Sequence, residues 1–136
     1  MDHVAAYLDQ GYAIVRGVFS PTEIAAIGAA VDQVHEEGVA HGRSFRHGNL
    51  FYNIAPDADG TPLVRMVQWP SYHNAALNAV RLDPRYHAIL APLIGSDLKQ
   101  NIHQLQLKST RSLADFAWKS HLRFGNKDSV LCNPRT

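Results

Sequence analysis

The start signal for a long helix at Ser20 constrains the fold of this chain more than any other local feature. Ser20 can accept a hydrogen bond from an exposed helix amide, Pro21 suits the first helical position, and Glu23 completes a capping box. Four apolar residues then recur at spacings of three and four, which places them on one helix face: Ile24, Ile27, Val31 and Val34. The pattern predicts an amphipathic helix that ends near Glu37, with Gly38 as its stop. A chain with such a helix must bury one long apolar stripe against a second layer.

Helical signals and short β-prone runs account for most of the remaining chain. Helical patterns cover residues 4–9, 74–81 and 84–94. Strand patterns cover residues 12–15, 63–69 and 97–107. Residues 39–62 are rich in Gly, His, Asn, Asp and Pro, so we expect a long loop with a tight turn at residues 57–60. These elements predict a single α+β domain over residues 1–136, in which helices come first and strands gather late.

Composition and charge narrow the class of protein. The chain has 136 residues, of which 46% are hydrophobic and 18% are charged, as expected for one modest domain and not for a disordered protein. Its formal net charge of +1 comes without a clustered basic stripe, which argues against a nucleic-acid partner. The single cysteine, Cys132, excludes an internal disulfide, and the start lacks a secretory signal pattern, so we expect a cytoplasmic protein. No apolar run approaches the roughly 20 residues that a membrane-spanning helix needs.

Eight histidines make a metal site the first chemistry to consider. They are scattered along the chain without a second ligand at a diagnostic spacing: His3, His35, His41, His47, His73, His87, His103 and His121. Zinc and iron sites need three or four groups that converge in a fixed geometry. His41 and His47 lie in a Gly-rich stretch, and we expect them to be exposed loop histidines and not ligands.

A cluster of polar residues lies near the last predicted strand. On a strand, Gln104, Gln106 and Lys108 share one face, while Leu105 and Leu107 point to the other. Such a polar face can line a ligand pocket. It can equally be the water-exposed side of an ordinary sheet. The residues alone leave both interpretations open.

Two phrases of the sequence resemble those of a known enzyme family. The first is residues 9–23, Asp-Gln-Gly-Tyr-Ala-Ile-Val-Arg-Gly-Val-Phe-Ser-Pro-Thr-Glu. The second joins residues 103–108, His-Gln-Leu-Gln-Leu-Lys, to Phe-Ala-Trp at residues 116–118. In order and spacing these phrases resemble the N-terminal part of the phytanoyl-CoA dioxygenase family, which belongs to the oxygenases that depend on Fe(II) and 2-oxoglutarate.

The resemblance implies a fold, a reaction and two cofactors. The fold is a double-stranded β-helix, or jelly roll, with N-terminal helices packed on its sheet. The reaction is hydroxylation of a small organic substrate, coupled to decarboxylation of 2-oxoglutarate, at Fe(II) held by two histidines and one carboxylate. By the same resemblance, Gln104 and Lys108 lie near the 2-oxoglutarate or the substrate, and Arg65 or Gln68 helps to hold a carboxylate.

The chain departs from this family at the metal motif. The family has Trp-His-Gln-Asp where this chain has Trp118, Lys119, Ser120 and His121. A lysine ammonium, with a reference pKa of about 10.4, is protonated at neutral pH and has no lone pair for a metal. His121 is a weak metal candidate, because Arg123 follows it where a His-x-Asp pair needs its carboxylate.

The family's distal histidine lies further along the chain than Thr136, so we expect an incomplete barrel and no activity of the chain alone. An incomplete jelly roll exposes strand edges and an apolar face, which predicts self-association through the sheet. Two alternatives stay open. One is an active oxygenase completed by a partner chain or a missing segment, and the other is a small non-catalytic binding or interaction module.

Overall fold

The computed structural model describes residues 2–108, which form α-helices, a short 3-10 helix and an antiparallel sheet. The helices are α1 (His3–Gln10), α2 (Pro21–His41), α3 (Ala75–Arg81) and α4 (Pro84–Ile94), with the 3-10 helix at Pro70–Tyr72. The strands are β1 (Phe45–His47), β2 (Leu50–Pro56), β3 (Pro62–Gln68) and β4 (Gln104–Gln106). The described part of the chain is therefore α+β, as predicted.

Helix α2 begins where the sequence predicts. The Ser20 hydroxyl accepts a hydrogen bond from the Glu23 amide at 3.3 Å, and the Ser20 amide donates to the Glu23 carboxylate at 2.7 Å, so both halves of the capping box are present. The predicted apolar stripe is buried only in its second half. Val34 lies in the core and Val31 packs against it, whereas Ile24 is 54% exposed.

Helix α2 continues past its predicted stop. It runs to His41, and Gly42 closes it in the left-handed conformation with a φ of 68°. Gly38 lies inside the helix, where an added Cβ would come within 2.6 Å of Val64 Cγ2 and 2.9 Å of Tyr52 Cδ1. Gly38 is therefore a close-packing position and not a helix stop, because the sheet passes directly against the helix there.

The strands pair in chain order, and each pair is antiparallel. The predicted loop over residues 39–62 is wrong, because β1 and β2 occupy much of this segment and pair with each other. The tight turn predicted within it is present between β2 and β3. There the Asp57 side chain accepts hydrogen bonds from the amides of Asp59 and Thr61, each at 2.9 Å.

One face of the sheet packs against α2 and forms the core. A row of register partners crosses the sheet on this face, with one residue from each strand: Phe45, Tyr52, Val67 and Leu105. Tyr52 is 1% exposed, and its hydroxyl donates to the Glu37 carboxylate of α2 at 3.1 Å. Burial, and next the charge of Glu37, raises the pKa of Tyr52, so the phenol stays protonated and keeps this hydrogen bond at neutral pH.

Two other strand predictions need correction. Residues 12–15 form neither helix nor strand, and Tyr12 and Ile14 are 59% and 67% exposed. Of the strand predicted over residues 97–107, only β4 forms. Residues 97–103 form an irregular segment between α4 and β4. Helices and strands consequently interleave along the described chain, so the predicted order of helices first and strands late is wrong.

Arg85 connects the start of α4 to the start of α2. Its guanidinium donates to both carboxylate oxygens of Asp83, at 2.8 and 2.7 Å, to Glu23 Oε1 at 2.7 Å and to the Val18 carbonyl at 2.8 Å. It also lies 4.2 Å from the centre of the Phe19 ring. The hydrogen bonds from Arg85 lower the pKa of Glu23 to about 2 and that of Asp83 to about 2.

The remaining predicted elements are confirmed, namely α1, β3, α3 and α4, each within a residue or so of its expected ends. Strands β1 and β4 are the edges of the sheet, which is open across the residues that the structure describes. A jelly roll is thus not confirmed. Within residues 2–108, no helix combines the length and the apolar character needed to cross a bilayer.

Candidate functional site

The sheet face opposite α2 carries residues that the sequence predicts for ligand binding. Successive strand residues point to opposite faces, so the neighbours of the core residues Val67 and Leu105 point away from the core. A second row of register partners crosses all the strands there: Arg46, Phe51, Gln68 and Gln104. We call these four residues the outer row. Gln68 and Gln104 are direct cross-strand neighbours within it, close enough for both side chains to contact one ligand.

The other half of the outer row comes from residues that the sequence prediction missed. The Arg46 guanidinium carbon lies 4.5 Å from the centre of the Phe51 ring. Both residues fall in the segment predicted to be a loop. The run of aromatic and branched apolar residues within residues 50–54 was the available strand signal, but the surrounding Gly, His and Asn residues obscured it.

Arg65 is the extra residue of a β-bulge in β3. Asn53 pairs with Met66 and Ile54 pairs with Val64, which leaves Arg65 without a partner on β2. Its Nε is buried and has no hydrogen-bond partner within residues 2–108. An unpaired buried donor is costly, and a guanidinium binds carboxylates in a planar, two-bond geometry. Arg65 is thus suited to an anionic ligand.

Lys108 follows the strand pair at the end that carries Arg65. The Leu107 amide donates to the Arg65 carbonyl at 2.9 Å, which extends the pairing one residue beyond β4. Lys108 follows Leu107 and is exposed. The structure therefore brings Arg65, Gln68, Gln104 and Lys108 to β3, β4 and the residues just after β4, and it pairs two of them directly.

The outer row ends beside a strained backbone position. Trp69 has a φ of 53° and a ψ of 42°, a left-handed conformation that bulky side chains rarely adopt. Its amide donates to the His103 carbonyl at 2.6 Å, immediately beyond the Gln68–Gln104 pair. Burial, and next the charge of Arg81, lowers the pKa of His103, so its imidazole is neutral at pH 7.

The chemistry of this face favours binding of a small anion. Each glutamine amide offers two N–H donors and a guanidinium offers five. Strands β3 and β4 contain no Asp or Glu, so no carboxylate on these strands competes with a ligand for the donors. The two strands likewise contain no Ser, Cys or His that could act as a nucleophile or a general base.

The residues that the structure describes include no group of three or more His, Cys, Asp or Glu positioned for a metal ion. Both His41 and His47 are exposed, as predicted. Neither lies in a loop, because His41 is the last residue of α2 and His47 is the last residue of β1. Lys119 and the weak metal candidate His121 lie outside the described residues.

Comparison with known proteins provides no relative for this chain. No protein-family model matches it, and searches of curated proteins and of solved structures found no significant match. The resemblance to the phytanoyl-CoA dioxygenase family accordingly stays a prediction from the sequence phrases.

Proposed function

We propose that this chain is a non-catalytic relative of the phytanoyl-CoA dioxygenase family that binds 2-oxoglutarate, or a similar small dicarboxylate, on the outer face of its sheet. Arg65 binds a carboxylate of the ligand through its guanidinium. Gln68 and Gln104 donate amide hydrogen bonds to the same ligand from neighbouring strands.

The observation that carries the proposal is that these three residues lie on one strand pair. The resemblance selects them from distant parts of the sequence, and the β3–β4 register makes the two glutamines direct partners. The Arg65 guanidinium, whose Nε has no partner within residues 2–108, adds a charged donor group that a carboxylate would satisfy. The water-exposed face of an ordinary sheet requires neither the pairing of the two glutamines nor the Arg65 donor.

We also propose that the β1–β4 sheet is one sheet of a jelly roll, with the outer row on its ligand-facing side. The antiparallel pairing of all four strands meets one requirement of such a sheet. The position of α2, which packs on the opposite face of the sheet, is a second supporting observation.

The residues at the family's metal positions do not fit Fe(II). Lys119 stands in place of the first histidine and His121 in place of the carboxylate. A protonated ammonium repels a metal cation and cannot ligate it. The proposed binding of the dicarboxylate is therefore independent of metal, and we assign no oxidation step to this chain.

Calorimetric titration with 2-oxoglutarate, once with EDTA and once with Fe(II) under anaerobic conditions, tests the proposal. We expect the same affinity in both titrations. Arg65→Gln should weaken binding by about tenfold or more, because a hydrogen bond to a charged group contributes about 1.5–3 kcal/mol. Arg43→Gln is the matched control, since it removes an exposed guanidinium between α2 and β1, outside the outer row, and should leave the affinity unchanged.

Three results would speak against this function. A folded wild-type chain that does not bind 2-oxoglutarate would refute it. Equal losses of affinity in the Arg65→Gln and Arg43→Gln variants would show only a general charge effect. Formation of succinate after addition of Fe(II) and dioxygen would support the active oxygenase in its place.

A further inference from the structure

A groove separate from the outer row lies between α4 and the irregular segment that leads to β4. Its volume is about 800 Å³, which falls in the range of small-molecule binding sites. Arg65, Gln68 and Gln104 do not line it. A ligand in this groove would therefore not share the donors assigned to the dicarboxylate.

One wall of the groove is an apolar stripe on α4. Tyr86, Leu90 and Ile94 recur every four residues and so lie on one helix face, over a length of about 12 Å. Their exposed fractions are 38%, 39% and 44%, and Leu98 adds a further apolar side chain from the irregular segment. A ligand that covered this stripe would remove apolar surface from water, which favours binding.

The groove also contains two cations that have no carboxylate partner within residues 2–108. The Arg81 guanidinium donates to Asn78 Oδ1, with contacts of 3.2 and 2.8 Å, and to Gln100 Oε1 at 3.3 Å, and both acceptors are neutral. Lys99, adjacent to Gln100, forms no ion pair within the described part of the chain. The hydrogen bond from Arg81 holds Gln100, the neighbour of Lys99, at the Arg81 guanidinium, and both cations line the groove.

The other ionisable groups that line the groove do not balance the positive charge of Arg81 and Lys99. The Asp83 carboxylate is paired with Arg85 at 2.7 Å, so Asp97 is the remaining acid among the described lining residues. His87 Nε2 lies 3.0 Å from the Ser96 carbonyl, and His103 is neutral at pH 7 because its pKa is lowered. Two cations against one unpaired carboxylate favour a negatively charged ligand.

We propose that this groove binds a small amphipathic anion. Its apolar body lies along Tyr86, Leu90 and Ile94, and its carboxylate or sulfonate group lies at Arg81 and Lys99. The inference does not depend on the proposed dicarboxylate site, since the two sites use different residues.

A pair of fluorescent probes tests both halves of this proposal. 1-Anilinonaphthalene-8-sulfonate carries an apolar ring system and a sulfonate, whereas N-phenyl-1-naphthylamine has the same ring system without the charge. We expect saturable binding of the sulfonate probe to the full chain at one site. Leu90→Gln should weaken binding of both probes about tenfold, because it removes apolar surface from the stripe. Lys99→Gln should weaken the sulfonate probe about two- to fivefold at low salt and leave the neutral probe unchanged.

Control variants separate this groove from general exposed apolar or basic surface. Ile24→Gln removes an apolar side chain that is 54% exposed on α2, and Arg43→Gln removes an exposed cation that does not line the groove. Neither should change the affinity of either probe, and excess 2-oxoglutarate should not displace them. Thermal unfolding of each variant checks that it is folded.

The proposal is overturned if the Leu90→Gln and Ile24→Gln variants lose affinity equally, or if Lys99→Gln affects the two probes alike. It is also overturned if sedimentation shows a dimer and probe binding per chain falls as the protein concentration rises. A second copy of the chain would then be the occupant of the groove.

Discussion

Replacement of Gly38 by alanine tests the packing of α2 against the sheet. An alanine Cβ at this position would lie 2.6 Å from Val64 Cγ2 and 2.9 Å from Tyr52 Cδ1, both closer than carbon atoms approach in folded proteins. Val64 is 3% exposed and Tyr52 is 1% exposed, so neither side chain can move into solvent to relieve the contact. The helix and the sheet must separate, or one of these side chains must leave its preferred rotamer.

The expected magnitude follows from two opposing effects. In a helix interior, alanine is more favourable than glycine by about 0.8–1 kcal/mol. Overpacking of a well-packed core costs about 1–3 kcal/mol, and two contacts below 3 Å place Gly38→Ala toward the upper end. We therefore expect a net loss of about 1–2 kcal/mol in the free energy of unfolding.

Gly28 on the same helix supplies the matched control. It is exposed, and an added Cβ would meet no atom within 4 Å, so Gly28→Ala should stabilise the chain by about 0.5–1 kcal/mol. Urea denaturation of the wild type and both variants measures the two changes, provided that the slope with denaturant stays the same. Equal stabilisation by the two substitutions would refute the close approach of α2 to the sheet.

Two other interactions give separate predictions. Arg85 lowers the pKa of Glu23 from 4.5 to about 2 and the pKa of Asp83 from 3.8 to about 2. The stability that these ion pairs contribute is therefore present above about pH 4.5 and is lost as the pH falls toward 2. The thermal midpoint should thus fall more steeply over this range in the wild type than in Arg85→Gln, and parallel curves would contradict this. Tyr52→Phe removes the hydroxyl that donates to Glu37 and should cost about 1 kcal/mol in urea denaturation. The same substitution should cost nothing in a Glu37→Ala background, and an undiminished loss there would assign the effect to packing.

Helix starts could be predicted because their signals are local. The Ser20–Glu23 capping box fixes the start of α2 through contacts three residues apart. Asn74 and Asp83 act in the same way for α3 and α4, where their side chains accept hydrogen bonds from amides two or three residues later. Such contacts form irrespective of the rest of the fold.

The end of α2 could not be predicted in this way. Gly38 and Gly42 are both plausible helix stops by residue type. Only the packing of the sheet against the helix shows that Gly38 is needed for close approach, while Gly42 adopts the left-handed conformation that ends the helix. The distinction depends on residues far away in sequence.

Strands were also difficult to predict from local sequence, because a strand forms only when another strand pairs with it. Residues 12–15 have strongly β-prone side chains, yet no described strand pairs with them. β2 lies among Gly, His and Asn residues but forms the centre of the sheet with β3, since its alternate residues Leu50, Tyr52 and Ile54 are buried by long-range packing.

Only part of the candidate site could be predicted from the sequence. The family resemblance selects Gln68 and Gln104, and the polar alternation around Gln104 supports a polar strand face. The pairing of these two residues, the position of Arg46 at the other end of the outer row and the groove beside α4 all depend on contacts between distant segments. Local patterns carry no information about which distant segments meet.

An anaerobic Fe(II) titration of the chain saturated with 2-oxoglutarate, followed by visible absorption, tests metal-independent dicarboxylate binding most directly. Calorimetry on the same sample establishes that 2-oxoglutarate is bound. We predict bound 2-oxoglutarate without the charge-transfer band of an iron chelate, because Lys119 stands in place of the first ligand. A stoichiometric band would contradict the account, since it would show that the chain assembles an iron site despite Lys119.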